Sequence, residues 1–197
     1  SMSKNRKRAT TLAAAGAVAA VAIGGGVAYA AFVRNNDVAT NASSENFDPF
    51  TVSGVLVPRA DGGTALLPGE SGAVKLRITK PSNTVNAKIA SIMPVEVQTS
   101  AITGLPNNNA KAGTCQPKIQ LATYGAPGIV LPKGSGYVEI TLKQAVTLDS
   151  TTTEDCEGMT FPTNFTVSFQ ASRDSASSGS TFELNPSVAP APPVGAA

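Results

Sequence analysis

The stretch Gly72-Ala73-Val74-Lys75-Leu76-Arg77-Ile78-Thr79 decides the fold. Successive side chains of an extended chain point to opposite faces, so Val74, Leu76 and Ile78 share one side and Lys75, Arg77 and Thr79 the other. The segment predicts a strand with one buried and one wet face, and the same period of two recurs on both sides of it. Before it, Thr51 to Val57 alternates and ends at the turn Arg59-Ala-Asp-Gly-Gly63. After the break Lys80-Pro81-Ser82-Asn83, Val85, Ala87 and Ile89 resume the period. Pro94 restricts the continuation toward Val95 and Val97 to an edge or a bend, because it has no N–H to donate to a ladder.

Further along, Leu105 to Gly113 reads as a loop by composition, and Cys115 leads into a strand expected at Lys118 to Tyr124. Val138, Ile140 and Leu142 alternate with Glu139, Thr141 and Lys143, and Gln144 to Leu148 extends or bends that strand. Phe165, Val167 and Phe169 mark the last strong strand. About seven short strands separated by turns, with no long helical period, point to an all-β fold, an immunoglobulin-like antiparallel β-sandwich over residues 49–173. A barrel is the alternative. Leu67-Pro-Gly-Glu-Ser-Gly72 and Leu131-Pro-Lys-Gly-Ser-Gly136 each introduce an alternating strand, which reads as one turn design used twice within a single sandwich.

The two ends differ from this middle. Lys4, Arg6, Lys7 and Arg8 precede an uncharged run from Leu12 to Val33 built from Ala, Gly and Val. That order predicts a signal peptide over residues 1–30, forming an apolar signal or membrane helix. Ala28-Tyr29-Ala30 offers the small-x-small pattern of a cleavage site, with Ala28 and Ala30 at the two restricted positions. Retention as an N-terminal membrane anchor is the rival reading, since about 20 apolar residues can span a bilayer. Ser1, ahead of Met2, reads as the remnant of a cleaved tag. Residues 31–48 are polar and without period and are expected to be a disordered linker. Residues 174–197 form a Ser- and Pro-rich tail with a candidate edge strand at 181–184.

Charged residues make up 14% of the chain and aromatics 5%, and His and Trp are absent. Without His the chain lacks the side chain that most often acts as a general base near neutral pH. No Gly-x-Ser-x-Gly elbow and no phosphate-cradling glycine loop is present, so no enzyme activity and no cofactor are expected. The formal charge of +2 includes the four cations ahead of the apolar run, and subtracting them leaves −2, which carries no nucleic-acid footprint.

Cys115 and Cys156 are the only cysteines. In an exported chain such a pair reads as a disulfide, and neither a CxxC spacing nor a thiolate-stabilising surrounding is visible. Asp149, Glu154, Asp155 and Glu157 form the one acidic concentration. Calcium would want six to eight oxygens, and the spacing matches no calcium loop, so a solvated loop is the simpler expectation and no metal site is assigned. Asn164-Phe165-Thr166 and Asn41-Ala42-Ser43 fit the glycosylation pattern, which arises often by chance.

The cationic cluster, the Ala/Gly run ending in Gly-Val-Ala-Tyr-Ala at 26–30, Leu-Pro-Gly-Glu-Ser-Gly at 67–72, Lys-Pro-Ser-Asn at 80–83 and two late cysteines together resemble small secreted or surface proteins of actinobacteria. Their signal peptides are similar to those processed by the SipW-type peptidase that serves the TasA and camelysin matrix-fibre proteins. The resemblance implies an immunoglobulin-like surface module without catalytic residues. The expected location is extracellular or at the cell surface, with the membrane as partner during export or through a retained anchor. A structural or adhesive module that self-associates by strand addition, or meets another cell-envelope partner, is the first functional expectation. A monomeric carbohydrate- or protein-binding module acting through its loops, among them Asn107 to Gly113, is the alternative, and a protease inhibitor is a third.

Overall fold

The computed structural model describes residues 47–105 and 108–187, together with the backbone of two pieces of the apolar segment, 17–22 and 27–29. Among the described residues ten strands and one α-helix follow in chain order: β1 Ala17–Ala22, β2 Val27–Tyr29, β3 Thr51–Leu56, β4 Ser71–Lys80, β5 Asn86–Val95, α1 Asn108–Cys115, β6 Ile119–Leu121, β7 Val130–Leu131, β8 Gly136–Leu148, β9 Asn164–Ser172 and β10 Thr181–Leu184. They form a sheet of order β1-β9-β5-β7 and a second of order β10-β8-β4-β3-β2, to which β6 adds by pairing with β8. Every pairing is antiparallel except that of β10 with β8, which is parallel.

The decisive alternation holds. Val74, Leu76 and Ile78 are fully buried, and so are Phe165 and Val167 with Phe169 beside them in the same core. Val52, Ile140 and Leu142 from the β3–β4–β8 sheet meet Ile89, Ile92 and the β9 aromatics from the other. Burying a side chain of this size contributes about 1.5–3 kcal/mol each relative to leaving it in water. Lys80 keeps the inward parity at the end of β4, and its Nζ donates to the Pro132 carbonyl at 3.0 Å. Burial lowers its pKa, because a low-dielectric surrounding disfavours the charged form.

The two Leu-Pro turns lead into β4 and β8, which pair with each other from Lys80↔Gly136 to Ser71↔Thr147. The similar segments therefore sit at opposite ends of one central antiparallel pair. Between them the register shifts opposite Gly72 and Val74, and there Gln144 has φ 50°, the left-handed region that non-glycine residues seldom occupy. Its neighbours hold it: the Tyr124 hydroxyl donates to the Lys143 carbonyl at 2.6 Å, and the Ala122 N–H donates to the Ala145 carbonyl at 3.0 Å.

Pro94 lies inside β5 instead of bending it. The Ile92 N–H donates away from β9, to the Gly125 carbonyl. By the period of two, the nitrogen of Pro94 faces that same flank, beyond the last hydrogen bond there, so no ladder bond is lost.

Three expectations are revised. The loop over Leu105 to Gly113 contains part of α1, whose Ala112 and Cys115 are buried; packing overrides the weak helix propensity of its Asn and Gly. The ordered fold includes Phe47 and Asp48 from the expected linker: Phe47 is buried in the main core, and the Asp48 N–H donates to Asn83 Oδ1 at 2.6 Å. The apolar helix expected near the N-terminus does not describe the backbone at 17–22 and 27–29, which is strand. The run Ala-Val-Ala-Ala-Val-Ala is compatible with an extended chain, and β9 and β3 offer it unpaired backbone groups. The remainder of residues 1–46, including Ala30 and the acceptor Asn41, lies outside the described residues, as do 188–197 of the tail. The candidate strand at 181–184 is present as β10, with Phe182 and Leu184 against the main core.

Candidate functional site: two occupied edges and a cavity beside the disulfide

β1 lies along β9 over six paired positions, from Ala17↔Phe169 to Ala22↔Asn164. β2 lies along β3, with Ala28 opposite Val52. The two pieces of the apolar segment thus cover one edge of each sheet on the same side of the sandwich. Without them, the backbone N–H and C=O groups of β9 and β3 that face outward have no ladder partner. Phe50, just ahead of β3, and Phe169, in β9, stack across this side of the core.

At another part of the molecule, Cys115 and Cys156 form the expected disulfide, bridging a sequence separation of 41. It joins the end of α1 to a single turn of 3-10 helix at Glu154–Cys156. Both sulfurs belong to a satellite core of Val97, Ile102, Leu105 and Ala112, packed with Ile119, Leu121, Met159 and Phe161. This differs from the immunoglobulin arrangement, in which a disulfide joins the two sheets through the main core. Thr103 and Thr160 exchange backbone hydrogen bonds of 2.8 Å, strapping the two halves of the satellite together. Gly104, with φ 81°, makes this possible, since a Cβ there would run into the Gly158 carbonyl.

A cavity of about 640 Å³ opens between this satellite and the end of the main sandwich. Leu56, Val146 and Leu148 supply strand residues to its lining, Leu66 and Leu67 come from the loop before β4, and Met159 and Phe161 from the chain after Cys156. The loop is held in place by the Gly69 N–H donating to the Leu148 carbonyl at 2.7 Å and by the Leu148 N–H donating to the Glu70 carbonyl at 3.0 Å. Gly72 leaves room for it: a Cβ at that position would stand 3.3 Å from Val146 Cγ1 and 3.5 Å from Leu66 Cδ2.

The four acidic residues are separated by the fold. Asp149 accepts from the Thr151 N–H at 2.7 Å and from its hydroxyl, and from Gln120 Nε2 at 3.2 Å. The Thr151 hydroxyl and then its N–H hold the Asp149 carboxyl below the ordinary carboxylate range. Asp155 pairs with Lys111 at 3.1 Å. Glu154 and Glu157 line the cavity instead. Among the described residues no group of three or more His, Cys, Asp or Glu is placed to hold a metal ion, and no helix is long and apolar enough to cross a membrane.

The expected disulfide pair is therefore brought together, and the backbone of the proposed cleavage position Ala28 is placed in β2. The cavity had no sequence signal of its own, because its walls come from segments far apart in the chain and none carries a motif. Comparison of the chain with family models, with curated proteins and with solved structures gives no match.

Proposed function

We propose that this chain is an exported, immunoglobulin-like surface module that assembles with its own kind by strand addition. The observation that carries the reading is that the residues with the character of an export signal are the ones that occupy the β9 and β3 edges. Cleavage after Ala30 removes both pieces at once. The mature chain then presents two unpaired edges on one side of the sandwich, where an extended segment of a neighbour adds by main-chain hydrogen bonds and inserts alternate apolar side chains. Before cleavage the same edges are occupied within the chain, which keeps the precursor from associating prematurely. The disulfide agrees with an oxidising, extracellular setting.

The test compares the full chain with the chain beginning at Ala31, by size-exclusion chromatography and negative-stain electron microscopy across a concentration series. The reading expects a monomeric full chain and concentration-dependent oligomers or filaments of the shorter one. A synthetic peptide of residues 17–29, added in excess, is expected to suppress that association. A shorter chain that stays folded and monomeric at high concentration overturns the proposal.

A further inference from the structure

We propose that the cavity beside the disulfide is a binding site for a small cationic amphiphile, a molecule with an apolar body and a single ammonium group. A volume of about 640 Å³ falls within the range of about 300–1,000 Å³ typical of small-molecule sites. Much of its lining is aliphatic, thioether or aromatic, from Leu56, Leu66, Val146, Met159 and Phe161. An apolar body entering this space displaces water from surface that the fold leaves uncovered.

The charge preference comes from the polar part of the lining. Among the described residues Glu154 and Glu157 are the charged ones of the lining, and no Lys or Arg accompanies them. The neighbouring acid, Asp155, is neutralised by Lys111, whereas neither Glu154 nor Glu157 forms an ion pair among the described residues. An anionic head would meet uncompensated negative charge, and a cationic head would find two carboxylates on the wall of an apolar space. Thr163 adds a directional group. It is 2% exposed and lines the cavity. Its hydroxyl can donate to or accept from a polar atom of a ligand that enters.

This inference is independent of assembly by strand addition, since no β9 residue lines the cavity and its one β3 residue, Leu56, lies beyond the positions that β2 covers. The test uses the disulfide-bonded full chain and three probes of equal chain length: decyltrimethylammonium, decanol and decanoate, each below its micelle concentration. Isothermal titration and amide shifts in heteronuclear NMR spectra report affinity and place. Saturable binding of the ammonium probe, tighter than decanol and much tighter than decanoate, with shifts at Leu66, Val146 and Met159, is the expected result. Glu154→Gln with Glu157→Gln is expected to weaken the ammonium probe about three- to tenfold while leaving decanol unchanged, in proportion to two solvent-accessible ion pairs. Raising the salt concentration in the unaltered protein is expected to weaken the ammonium probe in the same direction, a check that needs no variant to fold. Equal affinity for the three probes, no saturable binding of the ammonium probe, or shifts confined to other parts of the molecule overturn the proposal.

Discussion

The rings of Phe50 and Phe169 stack with centroids 4.3 Å apart and planes 8° from parallel. Phe50 leads into β3 of one sheet and Phe169 belongs to β9 of the other, so this contact joins the layers on the side where β1 and β2 cover the edges. Truncation of either ring removes buried surface and leaves a void next to the other. Phe169→Ala is expected to lower the unfolding free energy by about 3–5 kcal/mol, measured by urea denaturation. The double variant with Phe50→Ala is expected to lose less than the sum of the singles, by about 0.5–1.5 kcal/mol for the aromatic pair. Simple additivity would show that the stack contributes nothing beyond separate burial.

Replacing Cys115 and Cys156 by Ser releases a loop constraint over a sequence separation of 41. The chain-entropy relation gives a loss of about 4 kcal/mol. Because the bridge lies in the satellite core, amide hydrogen exchange is expected to accelerate most at residues 99–118 and 152–163. The amides of β4 should change only as far as global stability does. An equal local change in β4 and in the satellite would mean that the two cores unfold as one unit.

Asn83 ties the chain ahead of β3 to the turn before β8. Its Oδ1 accepts from the Asp48 N–H at 2.6 Å, its Nδ2 donates to the Asp48 carbonyl at 3.3 Å, and its carbonyl accepts from the Gly134 N–H at 2.9 Å. Asn83→Ala deprives Asp48 of both side-chain bonds and is expected to cost about 1–3 kcal/mol. Asn83→Asp retains an acceptor for the Asp48 N–H but has no donor for its carbonyl, and should lie between the two in thermal unfolding.

Acid sensitivity follows from Asp149. The Thr151 hydroxyl and N–H favour its ionised form, so the folded pKa lies below the unfolded value, which is about 3.9 for an Asp. Its contribution is fully present above the unfolded pKa and disappears as pH falls through the folded one. Asp149→Asn is expected to flatten the acid limb of the stability profile below about pH 4. A carboxyl chemical shift that titrates at or above the ordinary Asp value would remove the basis for this prediction.

Much of the sandwich was legible because burial imposes a period of two that side chains cannot disguise. Val74, Leu76 and Ile78, and later Phe165, Val167 and Phe169, announce both their strands and the faces they bury. Thr181 to Leu184 announced a short strand but not its partner, since alternation carries no information about direction, and its parallel seat on β8 depends on where the chain returns. α1 was hidden because Asn-Asn-Ala-Lys-Ala-Gly has the composition of a loop, and only the burial of Ala112 and Cys115 in a second core holds it as a helix.

By itself the sequence determined which side chains must be hidden from water, which two cysteines had no other cysteine to pair with, and that four cations stand ahead of a long uncharged apolar run. The tertiary structure alone decided that two pieces of that run complete the sheet edges, and that loops distant in the chain enclose an apolar space with two carboxylates on its wall that form no ion pair among the described residues. Alternation is a local property, written in neighbouring residues. Edges and cavities are relations between segments that meet only after the chain has folded.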